Sequence, residues 1–454
     1  MKPTHKGFIG TLYDIQRREW PLAIQMFGYF FLIITTFWIL KPIKKSAFVG
    51  FYDHQGMLFW GRELDAAQAE LIAKVANMFV AAFAAVLFSA LSQHLRRDKL
   101  ALVFSALFAI TLVGYSFVIH HPSDAVVWSF YLYGDLYSTL MVATFFAFLN
   151  DSVTPSAAKR LYPIIVLGGV AGGAFGSSSL RTWIDSIDSV GWIWICAVLT
   201  IVIGCLAASA GRLVRRDPPL EADSIAPHAE PKAESRVFDG ARLVFRSRYL
   251  LSIAAIIGLY EIVSTLMDYQ FTATVAHYLD GPAIDRHFAT VFTITNVTSL
   301  LVQLVATSYI MNHFRLVTGL LITPLIVLGA EASFLLMPTL WVGSMLNTSD
   351  NAFNYSINQS AREALYTPTT RDEKYKAKAF IDMFVQRFAK TIAVGMSLVL
   401  TSLFTDFSAV RWLSIVVALC VGLWLWAARH AGHRFHELTT SNEVDPDRKT
   451  TQPA

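Results

Sequence analysis

Charged and amide side chains recur inside the longest apolar runs of this 454-residue sequence, and their spacing is helical. Glu261, Ser264, Asp268 and Thr272 follow i, i+3, i+7 and i+11, so they share one helix face. Asn347, Asp350 with Asn351, Asn354 and Asn358 repeat that pattern, as do Asn296, Ser299, Gln303 and Thr307. Lys378, Asp382, Gln386 and Lys390 step by four with Arg387 beside the last, and Tyr131, Asp135 and Ser138 with Thr139 make a fifth face. Such faces offer binding rather than bond cleavage. Ammonium and guanidinium groups hold oxyanions, and carboxylates neutralise those cations when no ligand is present. A charge at bilayer depth costs about 2.5–3.5 kcal/mol on insertion scales, so these faces line a wet cavity or pair with one another. No Ser/His/Asp set, HExxH pattern or phosphate loop stands in a usable context. The sequence therefore presents no enzyme site, no metal-ligand set and no cofactor motif.

The elements that position these residues follow from composition. The chain is 54% hydrophobic and only 15% charged, with 33 Phe and 11 Trp, where a soluble protein is about one quarter charged. Its apolar runs reach the roughly 20 residues that span a bilayer as a helix. This excludes a soluble enzyme, a disordered chain and a nucleic-acid binder, and the net charge of +4 reads as membrane orientation. Twelve helices are expected, at roughly 21–48, 66–92, 100–120, 125–150, 161–181, 188–210, 248–278, 286–311, 315–336, 339–365, 377–403 and 408–430. Lys and Arg then gather on one side: Arg17 and Arg18, Arg96, Arg97 and Lys99, Lys159 and Arg160, the 211–247 linker, and Arg371, Lys374 and Lys376. The positive-inside rule puts both termini in the cytoplasm. Lys41, Lys44, Lys45 and Arg62 break the bias; Lys41 and Lys45 are expected to snorkel at the outer boundary, and Lys378 and Arg371 at the inner one.

The expected organisation is an interfacial helix over residues 1–20, a six-helix bundle over 21–210, a cytoplasmic linker over 211–247, a second six-helix bundle over 248–430 and a cytoplasmic tail over 431–454. No cleavable signal or transit leader is read at the N-terminus. The linker carries Pro218, Pro219, Pro227 and Pro231, and the turn at Val153–Ser156 is echoed by Tyr366–Thr369. Two such halves resemble the major facilitator superfamily, with a substrate site near the midplane. Cys196, Cys205 and Cys420 lie in apolar runs and read as small packing residues. Gly168, Gly172 and Gly176 are small-xxx-small pairs that let two membrane helices approach, since no strand precedes them as a phosphate loop requires.

Particular segments resemble the bacterial and plastid ATP–ADP translocases, a nucleotide transporter family. They are Ile39–Lys45, Tyr133–Tyr137, Phe148–Asp151, Ala158–Pro163, Leu266–Asp268, Ala361–Pro368 and Lys376–Asp382, spread along the chain. The resemblance implies an all-α membrane protein of the major facilitator fold that exchanges a nucleotide or similar phosphorylated anion by alternating access. It also implies a bacterial inner membrane location, a monomer in the lipid bilayer, and no nucleic-acid partner. Lys44, Asp135, Asp268 and Lys390 match the two lysines and two acids of the family pattern, and Lys74 falls on a further lysine position. Both acids are Asp where the pattern has Glu, Thr272 stands at an expected lysine, and Arg387 is an added cation. Asp382 and Asn354 complete the candidate substrate set. Tyr131, Tyr133 or Tyr137 stack a base or pack between helices. The alternative is a proton-coupled transporter of another anion, such as a carboxylate chelator; a receptor or scaffold is disfavoured because the linker is too short for an effector domain.

Overall fold

The computed structural model describes residues 16–53, 55–59, 61–153, 155–216, 233–307, 310, 314–369, 377–403 and 407–444. The proposed interfacial helix therefore lies almost wholly outside the described residues, as do 217–232 of the linker and Arg371, Lys374 and Lys376. In chain order the longer elements are α1 (Trp20–Asp53), a hairpin of β1 (Met57–Phe59) and β2 (Arg62–Leu64), α2 (Ala66–His94), α3 (Arg97–Val118), α4 (Asp124–Ser152), α5 (Pro155–Trp183) and α6 (Ser189–Arg216). There follow α7 (Ala233–Arg246), α8 (Arg248–Tyr278), α9 (Pro282–Leu301), α10 (Leu316–Leu336), α11 (Leu340–Phe353) and α12 (Gln359–Leu365), and then α13 (Lys378–Phe380), α14 (Gln386–Leu403) and α15 (Leu413–Val444).

Among the described residues, ten helices are long and apolar enough to cross a membrane. The two remaining expected stretches, 339–365 and 377–403, are helical in shorter pieces. A π-helical turn at Asn354–Asn358 joins α11 to α12, and another at Ile381–Val385 joins α13 to α14. Each piece is then shorter than a span, and π turns of this kind concentrate at functional sites. A third follows α9 at Val302–Thr307.

The described residues form two compact units. The first comprises Met1–Gly56, Ala76–His228 and Asp280–Asn296; the second comprises Met57–Val75, Ala229–Leu279 and Val297–Ala454. Helix α2 thus contributes its first turns, with Glu70 and Lys74, to the second unit and the remainder, from Ala76, to the first. Its start is set by a capping box: the Gln68 N–H donates to Asp65 Oδ1 (2.7 Å), and the Asp65 N–H donates to Gln68 Oε1 (3.1 Å).

In the first unit α1 packs along α5, and the glycines govern the approach. A Cβ on Gly168, Gly172 or Gly176 would lie 2.8, 2.3 or 2.6 Å from the carbonyl oxygens of Phe27, Phe31 and Thr35, which follow one another a helical turn apart. This is the close helix approach expected of the small-residue run. Tyr29, Phe104, Phe108, Phe145 and Met141 fill the core around this crossing. At one end of α5, Arg160 of the Ala158–Pro163 segment forms a forked pair with Glu19. Burial raises the Glu19 pKa, but Arg160 and the Gln16 N–H outweigh it and hold the carboxyl below its usual range.

The second unit is built on α8, which packs against α15, α14 and α11, with Ile253, Ile256, Val263, Leu266 and Trp424 in the core. Helix α7, inside the expected linker, belongs to this unit. Its last turn buries Val244 and sets Phe245 edge-on to Phe380 at 6.5 Å. The stretch is polar enough to read as linker, yet its apolar residues recur on one helix face, and a tertiary partner is what orders it.

Candidate functional site

In the first unit Lys44 and Asp135 form a charge centre within the helices. Lys44 on α1 is 5% exposed and sits 2.5 Å from Asp135 on α4. Its ammonium also donates to the Tyr131 carbonyl (3.2 Å) and lies over the Tyr131 ring, 4.5 Å from the centroid. The Asn77 amide donates to the same Asp135 oxygen. Gly134 makes room for this lysine, because a Cβ there would lie 2.5 Å from Lys44 Cδ. The Tyr-Gly-Asp order on α4 thus supplies the space and the counter-ion side by side. Replacing Gly134 by alanine is expected to push the Lys44 stem aside and lower transport about 10-fold, with thermal stability changed by only ~1–2 kcal/mol. Flux and melting temperature measured on the same preparation check this.

Two other lysines on α1 depart from expectation. Lys45 is 4% exposed and lies 5.5 Å from the Phe288 ring centroid, so it does not snorkel. Lys41 stands over the Trp38 ring at 4.4 Å and the Phe292 ring at 5.1 Å. Ring faces are negative, and they keep these ammonium groups inside the unit. Of the three tyrosines, Tyr133 and Tyr137 are packing residues: Tyr133 donates to the Phe108 carbonyl (2.8 Å), and Tyr137 bonds Thr200 (3.2 Å).

The second unit carries a larger network. Lys74 on α2 pairs with Asp268 on α8 and lies 3.8 Å from Glu70, one turn earlier on its own helix. The Thr272 hydroxyl donates to Glu70 (2.8 Å), so the residue at the expected lysine position satisfies an acid instead of adding a cation. The Asn347 amide of α11 donates to Asp268 (3.3 Å). Two turns earlier on the same face of α8, Glu261 meets Lys390 of α14 at 3.4 Å. Arg387 is half-buried on the same face of α14 as Lys390, three residues earlier. Asn354, at the π turn, accepts from Arg362 (3.2 Å) and Asn358 (3.0 Å). Lys378 reaches both oxygens of Glu363 at 2.6–2.7 Å, which gives it a specific partner. Asp382 is exposed on the π turn.

A cavity of about 330 Å³ in the first unit lies elsewhere, lined in part by Ser92, Arg96, Arg97, Asp98, Asp151 and Gly211. Its acids are occupied, Asp98 by Arg215 and Arg96, and Asp151 by Arg97.

Residues 125–340 and 333–435 match the family described as TLC ATP/ADP transporter. The chain belongs to the TLC ATP/ADP transporter family. It is 23% identical to "ADP,ATP carrier protein 1" of Chlamydia muridarum over 96% of this chain and 92% of that one. It is 21% identical to "ADP,ATP carrier protein 3" of Rickettsia conorii over 94% of this chain and 97% of that one. A crystal structure of the nucleoside transporter NupG superposes with a TM-score of 0.62 at 13% identity, covering 92% of this chain and 99% of that one. At that identity the likeness speaks for the fold, which is the major facilitator fold. The protein is a multi-pass membrane transporter, not an enzyme.

For this TLC family transporter, sequence reasoning singled out Lys44, Lys74, Asp135 and Asp268, and the structure joins them in two lysine–aspartate pairs. It left Glu70, Asn77, Glu261, Asn347 and Arg362 out of the candidate set. Glu261 and Asn347 already stood on the polar faces of their spans, and Glu70, Lys74 and Asn77 follow i, i+4 and i+7, a polar stripe in the second span as regular as the others, so the signal for all but Arg362 was in the sequence.

Proposed function

We propose that this transporter exchanges nucleotides, of the ATP/ADP kind, by alternating access, with both termini cytoplasmic in a bacterial inner membrane. The observation that carries the reading is the pair of lysines, Lys44 and Lys74, each bound to an aspartate at modest exposure. A phosphate oxygen can take the place of either carboxylate with little change in local charge. In the empty protein the aspartates hold the lysines neutralised, which limits the cost of unpaired charge. Substrate contacts then release the aspartates, and that difference in pairing is what biases one transporter conformation over another. Within the second unit, Lys390, half-exposed and 3.4 Å from Glu261, is a further ammonium available to a phosphate oxygen. The names of the relatives support a nucleotide, and the shorter aspartates in place of glutamates leave the particular nucleotide to experiment.

Purified protein in liposomes tests this directly. Uptake of labelled ADP is expected only when the lumen holds unlabelled ADP or ATP. Equal uptake into empty liposomes, or none under either condition while the protein is correctly folded, would overturn exchange of these nucleotides.

A further inference from the structure

The acids of the second unit are not treated alike. Glu70, Glu261 and Asp268 each lie within 4 Å of a lysine, whereas Asp350 on α11 forms no ion pair among the described residues. Asp350 is 2% exposed, accepts one hydrogen bond from the Ser264 hydroxyl (2.6 Å) and is approached by the Tyr260 hydroxyl. Its other oxygen, Oδ1, is buried with no hydrogen-bond partner. The sequence shows why no cation arrives. Helix α11 has no basic residue, α10 packed against it has none, and α8 has only Arg248 and His277, at its two ends. Of the ionisable groups on the helices packed against α11, Tyr260, Glu261 and Asp268 of α8 act on Asp350, while Glu331 lies on α10 and Arg248, Tyr249, Tyr269, His277 and Tyr278 lie elsewhere on α8. The nearby cations already have partners: Lys74 holds Asp268, Lys390 holds Glu261, and Arg362 holds Asn354 and lies over the Tyr260 ring at 4.9 Å.

A buried carboxylate with a bare oxygen and two carboxylate neighbours is costly in its charged form. A proton on Oδ1 removes the charge. We propose that Asp350 carries a proton in the substrate-free transporter, and that its loss weakens binding of an anionic substrate in the Lys74–Lys390 network. The second half of this statement rests on the reading of the substrate as a phosphorylated anion; the first half does not. The sign follows from charge: an ionised Asp350 adds a negative field beside Glu261 and Asp268, where an anion must compete for the same lysines. Glu331 on α10, 1% exposed, accepts from the neutral Gln270 amide (3.4 Å) and shares the lack of a cation, which makes it the control acid of this unit.

Infrared spectroscopy of the purified, substrate-free protein tests the protonation. A protonated-carboxyl C=O band is expected in the wild type, absent from Asp350→Asn, displaced in Asp350→Glu and retained in Glu331→Gln. A spectrum in which no such band depends on residue 350 overturns the proposal, and Asp350→Glu decides the matter if the asparagine variant does not fold. Calorimetric binding of ADP tests the consequence. From about pH 6 to about pH 9 the wild-type Kd is expected to rise about 10-fold more than that of Asp350→Asn, which carries only the titration of ADP itself. Parallel profiles overturn the coupling. An Asp350-dependent band with no ADP binding at any pH upholds the protonation and instead defeats the nucleotide reading.

Discussion

Replacing Lys44 with alanine is expected to lower ADP exchange by at least about 100-fold, because truncating one member of a buried, hydrogen-bonded ion pair typically costs 3–5 kcal/mol. Lys44 is 5% exposed and holds Asp135, the Tyr131 carbonyl and the Tyr131 ring face. Its removal has two separable consequences. Among the described residues Asp135 then keeps only the Asn77 amide as a side-chain donor, which destabilises the folded protein. The cation that would meet a phosphate oxygen is also gone, which removes binding. The double variant Lys44→Ala with Asp135→Asn separates them. With the orphaned charge removed, its melting temperature is expected to return toward that of the wild type, while exchange stays at the level of Lys44→Ala. Wild-type exchange by Lys44→Ala would remove this lysine from the substrate site. Lys390→Ala serves as the comparison. Lys390 is half-exposed and its partner is 3.4 Å away, so its loss is expected to affect stability less than that of Lys44.

What the sequence disclosed and what it withheld divide along a physical line. Charges inside apolar runs were visible because the bilayer makes each of them expensive, so Asp135, Asp268, Arg387 and Lys390 stood out without any structure, whereas Lys44 and Lys74 were marked by the resemblance to a family. Helical periodicity then grouped them by face. Which lysine meets which acid was not visible, since pairing is fixed by how helices cross: Lys74 belongs with Asp268, 194 residues away. The π turns at Asn354–Asn358 and Ile381–Val385 also escaped, because an extra residue in a helical turn leaves the apolar pattern almost unchanged. The same is true of Lys45. Its type suggested an outward reach, whereas it lies buried beside the Phe288 ring. Helix α7 was concealed by the prolines before it and by a polar composition that yields order only when Val244 finds the core of the second unit.

The crossing of α1 and α5 can be tested at a single position. Gly172→Leu is expected to leave little folded protein, because even a bare Cβ at residue 172 would lie 2.3 Å from the Phe31 carbonyl oxygen. That oxygen belongs to helix backbone and cannot rotate away as a flexible side chain would. The Gly172 carbonyl also accepts from Thr35 Oγ1 (3.1 Å), so displacing α5 breaks a hydrogen bond as well as the packing. Overpacking of a dense interior costs about 1–3 kcal/mol per site where neighbours can yield, and a rigid helix crossing belongs at or above the upper end. Gly172→Ala is accordingly expected to lower the melting temperature measurably, and Gly172→Leu to abolish the monodisperse peak in detergent. Gly114→Ala is the control: that glycine is exposed on α3 with nothing within 4 Å of an added Cβ, so alanine there is expected to be neutral or mildly stabilising. Equal behaviour of Gly172→Ala and Gly114→Ala would mean that α1 and α5 are not in backbone contact. Since Lys44 rides on α1, a shift of this helix is also expected to move its ammonium relative to Asp135, so exchange should fall in Gly172→Ala even in the fraction that folds.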